Sequence, residues 1–336
     1  MRNKFAFVIL FPALVLIGCK NRSETAAVVS LQESTVLTSV TFNADSAFTT
    51  IEDQCAFGPR VPNSSAHKAC GNYILERFKA YGLDVMEQNA TLSAWDGKNL
   101  HMRNIIAAYA PEREDRVMIC THWESRPWAD EDPDEDNHRK PVPAANDGAS
   151  GVGVMIEVAR LLEELQPEVG VDFICFDLED YGTPYWDDDK APADGTDWCM
   201  GSEYWSNHPH QTDYAPRFGI LLDMVGGKDA QFRYEGVSLF FARDVVVKVW
   251  EAAASIGADN IFLTEEGTFV QDDHVRINEI TGIPTIDIIP YVPGGDTFGK
   301  TWHTLADTPE NISKETLRAV GQTLLQVLSE EQAESR

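Results

Sequence analysis

A single carboxylate, Asp147, lies in a run of small residues that extends from Pro143 to Gly153. Apolar residues with helical spacing begin directly after this run and continue to about Leu165. The sequence therefore predicts a carboxylate at the junction of a loop and a helix, with no bulky side chain nearby to block a metal ion or a substrate. An Asp-Gly pair at such a junction is equally typical of a turn or a helix N-cap.

Other groups of polar side chains recur at the ends of predicted strands. They are His122-Trp123-Glu124, Glu179-Asp180, Asp223, Gln271-Asp272-Asp273-His274 and Trp302-His303-Thr304. Each group alone has an ordinary structural explanation, because single histidines are usually satisfied in the fold and paired acids are usually solvated. Together with Asp147 they nearly all follow predicted strands, where open α/β sheets bind their ligands. The sequence therefore predicts one site at one edge of a sheet.

Strands that alternate with helices must position these groups. The predicted strands are Val85–Trp95, Asn99–Tyr109, Val117–Cys120, Val171–Phe176, Phe218–Val225 and Thr285–Ile289. The predicted helices are Asp45–Asp53, one from Asn63 or Ser64 to Ala80, one from Asp147 to Leu165, Gly201–Asn207, Asp244–Ser255, His274–Ile280 and a last one that Pro309 opens. This alternation predicts a single α/β domain of three layers, α/β/α, around a mixed, mainly parallel central sheet.

The chain of 336 residues is strongly acidic, with a net charge of −27 from 27 basic and 54 acidic residues. This charge argues against binding to nucleic acid or to an anionic membrane surface by electrostatics. A cationic ligand, such as a peptide with a free amine, is compatible with it, and so is a surface that is merely soluble. The sequence contains no coiled-coil pattern and no long apolar stripe, so we expect a monomer.

The N-terminus has the pattern of a targeting segment. Arg2 and Lys4 precede the apolar run Phe5–Ile17, which is too short to span a bilayer comfortably. The run ends in Gly18-Cys19, which resembles the bacterial lipobox, where the signal peptide is cut before a cysteine that is then acylated. We therefore expect a signal peptide over 1–18, lipidation of Cys19, a tether over 19–41 and a folded domain over 42–332. An ordinary signal peptide with an incidental cysteine is the alternative. In the lipidated form, the chain is exported and anchored to a bacterial cell membrane by lipid alone, on the periplasmic or surface side.

The other cysteines show no metal-binding spacing. No Cys-x-x-Cys or Cys/His zinc pattern occurs, so a thiolate-bound metal is excluded. Cys120 and Cys175 lie in apolar runs and are expected to be buried as small hydrophobic residues. Cys55 and Cys70 could form a disulfide in an exported protein, which the sequence alone leaves open.

The order of motifs identifies a resemblance. The chain carries His-x-acid at His122, Asp-Gly-Ala-Ser-Gly at Asp147, Phe-Asp-x-Glu-acid at Phe176, Leu-Leu-Asp-Met-Val-Gly at Leu221, Asp-His at Asp273 and His-Thr at His303. This order resembles the zinc aminopeptidases of the aminopeptidase/glutaminyl cyclase superfamily, from about Asp45 to the C-terminus. Two details resemble the glutaminyl cyclase branch, namely Gln271-Asp272-Asp273-His274 and Trp302, since peptidases more often carry Tyr before the histidine. The resemblance implies a zinc exopeptidase-like fold over 42–332.

The resemblance also implies a role for each group. It implies one Zn²⁺ per chain, held by Asp147, Asp180 and His303, which is a sensible open site of two carboxylates and one imidazole. Glu179 would be the general acid/base. Asp223 and Asp272 resemble a pair of acids that shares a proton near the reacting amide.

Aromatic side chains are the expected walls of a small apolar substrate pocket. Trp302, Gln271 and Trp186 are the predicted substrate-binding residues, whereas Trp128 and Trp205 are expected to pack within the fold. The acidic run Asp130–Asp136 is expected to be solvated loop surface around the mouth of the site.

Two positions depart from the superfamily pattern. Asp180 replaces the more usual Glu ligand, and Glu124 replaces an Asp that supports a second metal in two-zinc peptidases. In those enzymes, the residues that match His122 and Asp223 bind that second metal. Glu124 is longer than the Asp it replaces, which favours one metal and therefore the cyclase branch.

The implied activity is glutaminyl-peptide cyclotransfer, in which the N-terminal glutamine of a peptide or protein becomes pyroglutamate with release of ammonia. A two-zinc aminopeptidase that hydrolyses N-terminal residues is the first alternative. A lipoprotein that only binds peptides is the second.

Overall fold

The strands of the protein follow the predicted apolar runs closely. The computed structural model describes residues 36–193, 195–294 and 298–333. The strands are β1 (Asp84–Ser93), β2 (Asn99–Tyr109), β3 (Arg116–His122), β4 (Gly170–Phe176), β5 (Gly219–Leu222), β6 (Phe232–Tyr234), β7 (Phe262–Glu266) and β8 (Thr285–Ile288). The helices are α1 (Ala44–Ala56), α2 (Ser65–Ala80), α3 (Ala149–Leu165), α4 (Met200–Asn207), α5 (Gly236–Ser255), α6 (Asp273–Thr281) and α7 (Lys314–Glu330). Short 3-10 helices cover Glu135–Asn137, Tyr185–Lys190 and Pro309–Asn311.

The central sheet is mixed and mainly parallel, as predicted. Its strand order is β1-β2-β4-β3-β5-β8, and β6 and β7 pair separately. The four strands β4, β3, β5 and β8 run parallel to one another. The β1–β2 hairpin joins them antiparallel through β2 and β4. The carboxyl ends of the four parallel strands therefore meet at one edge of the sheet.

Helices cover both faces of this sheet. Alternate side chains along a strand point to opposite faces, so Ile119 in β3 joins the core that α1, α2, α3, α5 and α7 form on one face. Its neighbour Cys120 packs on the other face against α4 and α6, through Trp205 and Ile277. The three-layer α/β/α arrangement predicted from the sequence is confirmed.

Several element boundaries differ from the prediction for local reasons. Helix α3 starts at Ala149, because Gly148 holds the N-cap position with a φ of 98° and no side chain caps the helix. Asp147 is therefore not an N-cap, and that interpretation was wrong. Helix α5 starts at Gly236 rather than Asp244, because the Glu235 carboxylate caps its first turn. Pro309 opens only a 3-10 turn, and α7 begins after its own cap at Ser313.

One compact unit begins at Leu37. The predicted signal peptide, Cys19 and most of the predicted tether lie outside the described residues. Packing begins slightly before residue 42, because Val40 is buried and the Thr38 amide donates to Gln326 Oε1 at 3.0 Å. Within the described part of the chain, no helix is both long and apolar enough to span a membrane.

The five cysteines of the folded unit are free thiols. Cys55 and Cys70 are not bonded to each other, so a disulfide between them is not formed. Cys120 and Cys175 are buried, as predicted from their apolar surroundings.

Candidate active site

The parallel strands bring the predicted polar groups to one edge of the sheet. His122 is the last residue of β3, and Asp223 directly follows β5. Glu179 and Asp180 follow β4 after a turn, and Asp272 caps the first turn of α6. The prediction of one site at the carboxyl ends of the strands is confirmed in position.

Three ionisable side chains converge in the first cluster of the site. Ligand atoms of Asp147, Asp180 and His303 all lie within 4.8 Å of one another, and the three residues are buried. His303 Nε2 is 3.2 Å from Asp180 Oδ1 and 3.6 Å from Asp147 Oδ2. Asp147 Oδ2 is buried without a hydrogen-bond donor. Two carboxylates and an imidazole, with one oxygen left unsatisfied, fit the donor set that zinc prefers in open sites.

A second cluster shares Asp147 with the first. His122 Nε2 is 2.9 Å from Asp147 Oδ1 and 3.3 Å from Asp223 Oδ1. The two oxygens of Asp147 thus face different clusters. Burial lowers the pKa of His122, but its contacts with Asp147 and Asp223 outweigh burial and raise that pKa well above its usual value.

Glu124 does not orient His122 closely. Its Oε2 is 3.6 Å from His122 Nδ1, and that nitrogen has no hydrogen-bond partner among the described residues. Its Oε1 instead accepts from the Asp180 amide at 2.9 Å. Glu124 therefore holds the backbone of a predicted ligand, and the longer side chain leaves the imidazole without the hydrogen bond that usually fixes a metal-binding histidine.

Strained backbone presents the acids to the site. Leu178, Met224 and His303 all have positive φ angles, between 49° and 60°, which non-glycine residues adopt at a cost of about 1–3 kcal/mol each. Two of them directly neighbour Glu179 and Asp223. Such strain persists only when the surrounding contacts impose it, and it is concentrated here at the residues that form the site.

A turn held by buried polar residues places Glu179. Asp177 accepts from the Leu178 amide at 2.9 Å and from the Arg103 amide at 2.7 Å. Burial, followed by the charge of Asp180, raises the pKa of Glu179 well above its usual value. A raised pKa suits a group that must accept and then release a proton near neutral pH.

Asp223 and Asp272 lie close enough to affect each other's ionisation. Burial and then the charge of Asp223 raise the pKa of Asp272 to about 7. Burial also raises the pKa of Asp223. One proton is therefore held between the two carboxyls at neutral pH, as the resemblance implied.

All of these groups border one small cavity of about 70 Å³. Its polar wall contains Asp147, Asp180, His303, Glu179, Asp223, Asp272 and Gln271, and its apolar wall contains Trp198, Met224, Val270, Ile289, Phe298 and Trp302. The Trp302 ring stacks on His303, with 4.0 Å between the ring centroids. The site thus combines a cluster of metal ligands, a proton carrier and an aromatic enclosure.

A family model confirms the kinship that the motifs suggested. The model for peptidase family M28 matches residues 104–328, which is more than half of the chain. The chain belongs to peptidase family M28. The matched region begins in β2 and ends in α7, so it includes every residue of the site. This membership implies zinc at the site, which the donor set of Asp147, Asp180 and His303 fits.

Solved structures of similar M28 proteins carry more than one description. A glutaminyl cyclase from Bacteroides thetaiotaomicron, bound to N-acetylhistamine, is 49% identical, with a TM-score of 0.84 over 87% of this chain and 99% of that one. A protein from the same organism described as a leucine aminopeptidase precursor is 48% identical, with a TM-score of 0.84 over 88% and 100% of the two chains. A Zn-dependent exopeptidase from Parabacteroides distasonis is 46% identical, with a TM-score of 0.84 over 87% and 99%.

Among curated relatives, aminopeptidase YwaD of Bacillus subtilis is 28% identical over 78% of this chain and 52% of its own length. The chain thus spans about half the length of this relative. The fold and the family are shared across these proteins, and the side chains of the site must distinguish between the two activities.

Trp186 does not line the cavity, which corrects one predicted substrate contact. Its ring stacks parallel to His138 at 6.5 Å and lies edge-on to Tyr185, and the Arg139 guanidinium covers it at 4.7 Å. The tryptophan that lines the cavity is Trp198, whose ring is parallel to His303 at 6.3 Å. Both tryptophans lie in the irregular segment after β4, where no periodic pattern indicates which one points inward. Trp302 and Gln271 line the cavity as predicted.

Asp130 is part of the site, although its acidic run was expected to be solvated surface. It is buried, and its Oδ1 accepts from Arg126 Nε at 2.7 Å. The same oxygen is 3.5 Å from His303 Nδ1, so it lies on the side of the imidazole away from the ligand cluster. Arg126 in turn donates to the Asp180 carbonyl at 3.0 Å. Arg126 therefore contacts both Asp130 and a predicted ligand.

Asp307 positions the loop of Asp147 and was also missed. Its carboxylate accepts from the amides of Asn146 at 2.7 Å and Asp147 at 3.0 Å. Asp307 lies four residues after His303, in a loop without a motif. The only available signal was its proximity to His303 in the sequence.

Proposed function

We infer that this M28 protein is a glutaminyl-peptide cyclotransferase, which converts N-terminal glutamine to pyroglutamate and releases ammonia. The observation that carries this inference is the place of Asp272. It lies beside Asp223 on the wall of the cavity that also contains Glu179 and the ligand cluster. A second metal at His122 and Asp223 needs Asp223 ionised and free to coordinate, whereas a neighbouring carboxyl favours a shared proton at that position.

The ligand cluster supports one zinc per chain, held by Asp147, Asp180 and His303. When bound there, zinc would supply a Lewis acid that polarises the γ-carboxamide oxygen of the substrate glutamine. The nucleophile is the substrate's own α-amine, so no water has to be activated. One metal therefore suffices for this chemistry.

Glu179 carries the proton in the proposed reaction. The α-nitrogen attacks the γ-carbon, which forms the ring C–N bond, and Glu179 removes a proton from that nitrogen. Glu179 then delivers the proton to the amide nitrogen as the original C–N bond breaks, and ammonia leaves. The side chain borders the cavity next to Asp180, so it can reach a substrate held at the cluster without itself binding the metal.

The cavity walls hold the amine and the amide together. Trp302, Trp198 and Phe298 enclose the space in which the glutamine side chain would lie, and the protonated member of the Asp223–Asp272 pair can donate to the substrate. Holding the amine next to the amide can contribute up to about 7–11 kcal/mol toward the barrier. Exclusion of water from this space also strengthens the electrostatic contacts of the acids.

A two-zinc aminopeptidase is the second candidate, and one observation favours it. His122, Asp147 and Asp223 form a buried group with ligand atoms within 4.8 Å of one another. In that arrangement Asp147 would bridge two metals and Glu179 would activate a water. The 3.6 Å gap between His122 Nδ1 and Glu124 weighs against it, because metal-binding histidines almost always donate from their second nitrogen.

Metal counting and a paired assay distinguish these activities. We expect one zinc per purified chain, ammonia release from a glutaminyl peptide and no release of leucine from a leucyl substrate. Two zincs with leucine release and no ammonia would establish the aminopeptidase. The Glu179→Gln variant should keep its fold and zinc but lose nearly all turnover. A protein that only binds peptides would turn over neither substrate, with or without Glu179.

We further propose that the protein is exported and anchored to a bacterial membrane through a lipid on Cys19. The lipobox-like sequence supports this, and the partners would be peptides or proteins with N-terminal glutamine, met by a monomer that does not bind nucleic acid. In a bacterial host, the Cys19→Ser variant should move from the membrane fraction to the soluble fraction. Membrane retention of this variant would contradict the anchor.

A further inference from the structure

A second, larger cavity lies beside the catalytic one. It has a volume of about 340 Å³ and lies between the β5–β6 connection and the loops that follow β8. Its walls include Lys228, Asp229, Asn146, Gln231, Lys300, Asn311, Pro290, Val292 and Phe298. No step of the proposed reaction uses this cavity.

The two cavities are continuous through shared and neighbouring residues. Phe298 borders both of them. Asn146, Pro290 and Thr301 in the second cavity directly precede or follow Asp147, Ile289 and Trp302, which border the catalytic cavity. A peptide whose first residue fills the catalytic cavity must extend outward from it, and the second cavity is the adjoining space.

A buried polar side chain in the wall has an unused donor. Asn146 is 6% exposed, and its Oδ1 accepts from the Gly226 amide at 2.8 Å. Its Nδ2 donates to no acceptor among the described residues. The backbone of Asn146 is held by Asp307 together with that of Asp147, so this donor is fixed relative to the ligand cluster.

Two lysines give the cavity a charge opposite to that of the protein as a whole. Lys228 and Lys300 both line it, in a chain whose net charge is −27. No described carboxylate lies within ion-pair distance of either ammonium group. Asp229 also lines the cavity and offsets part of this positive charge. The remaining charge and the amide donor together favour an anionic ligand group.

We propose that this cavity binds the residues that follow the N-terminal glutamine of a substrate and selects an acidic side chain there. This inference rests on the proposed cyclotransferase activity, which supplies the glutaminyl residue that fixes the peptide in the catalytic cavity. Lys228 and Lys300 contact the acidic side chain, and Asn146 donates to the peptide. The recognised class is therefore glutaminyl peptides with Glu or Asp close to the N-terminus.

Two peptides of equal shape test the proposal. Gln-Glu-Ala-amide and Gln-Gln-Ala-amide differ only by a charge at the second residue. Their dissociation constants are measured on the zinc-loaded Glu179→Gln protein by calorimetry, so that binding is read without turnover. We expect tighter binding of the acidic peptide, and the Lys228→Ala and Lys300→Ala changes should each reduce its advantage roughly two- to fivefold. The advantage should also shrink with added salt.

Matched controls keep the test specific. Lys68→Ala removes an exposed lysine on α2, which borders neither cavity, and should leave the ratio of the two dissociation constants unchanged. Asp229→Asn should increase the advantage of the acidic peptide. Equal binding of the two peptides, or a ratio that both lysine variants leave unchanged, would overturn the proposed selection. Failure of the cyclotransferase proposal is distinguished separately, because it appears as an absence of ammonia release from both peptides with the Glu179 enzyme.

Discussion

Asp130 offers the sharpest test of how the ligand cluster is supported. It lies behind His303, with Oδ1 at 3.5 Å from the imidazole Nδ1, and Arg126 holds it through a hydrogen bond of 2.7 Å. Burial raises the pKa of this carboxyl, but the Arg126 contacts outweigh burial, so the pKa is held well below its usual value. Asp130 is therefore charged at neutral pH and favours the tautomer of His303 that leaves Nε2 free for a metal.

We expect the Asp130→Asn variant to bind zinc about 10- to 100-fold more weakly, which is the usual cost of losing such a partner. This corresponds to roughly 1.4–2.7 kcal/mol of binding free energy. Removing one member of a buried ion pair costs about 3–5 kcal/mol of unfolding free energy. Arg126 keeps the carbonyls of Asp180 and Gly182 as acceptors, so we expect the lower end of that range.

Zinc affinity is measured by competition with a chromophoric chelator, and unfolding free energy by denaturant titration of the metal-free protein. Asp134→Asn is the matched control, because Asp134 belongs to the same acidic loop but only caps an exposed turn. The control should change neither quantity by more than about 1 kcal/mol. A folded Asp130→Asn protein that binds zinc as tightly as the parent would refute the role of Asp130.

Three other predictions follow from the site and its supports. Metal-free protein should lose stability as pH rises from about 4 to about 7, because the pKa of Asp272 is about 7 when folded and near 3.8 when unfolded. In Asp272→Asn this loss should be smaller, by at most about 1.4 kcal/mol per pH unit, and denaturant titrations with identical pH profiles would contradict the buried pair. Glu235 accepts from the Val270 amide at 2.9 Å and from His274 Nε2 at 3.0 Å, so it anchors the loop that carries Gln271 and Asp272. Glu235→Gln should lower unfolding free energy by about 1–3 kcal/mol and lower kcat/KM, and a variant of unaltered stability and activity would show that the loop needs no such anchor. Trp302→Ala should reduce kcat/KM for a glutaminyl peptide about tenfold or more, because burial of a large side chain or its ligand contributes about 1.5–3 kcal/mol, whereas Trp128→Ala should have a much smaller effect on kcat/KM.

The chemistry of the site could be predicted from the sequence because its residues are tied to strand ends. Apolar runs define β3, β4 and β5, and parallel strands bring their carboxyl ends to one edge. His122, Glu179, Asp180 and Asp223 are therefore neighbours whatever the details of the loops. The family kinship, the three-layer fold and the convergence of the predicted ligands are all consequences of this local order.

The long loops could not be predicted in the same way. Trp198, Asp130 and Asp307 enter the site from segments without periodicity, and Trp186, from the same segment as Trp198, points elsewhere. The capping role expected for Asp147 also failed, because Asp307 holds its amide and Gly148 takes the N-cap position. In each case the outcome depends on contacts between residues far apart in the sequence.

By itself, the sequence determined which side chains can do chemistry and which edge of the sheet they share, because hydrophobic periodicity and strand direction are local properties. Only the tertiary structure decided how those side chains are used. It showed that Asp147 directs one oxygen to each of two clusters, that Glu124 supports the backbone of Asp180 rather than His122, and that a lysine-lined cavity adjoins the catalytic one. These are matters of distances of a few tenths of an ångström and of charge in buried surroundings, which depend on packing from every layer of the fold.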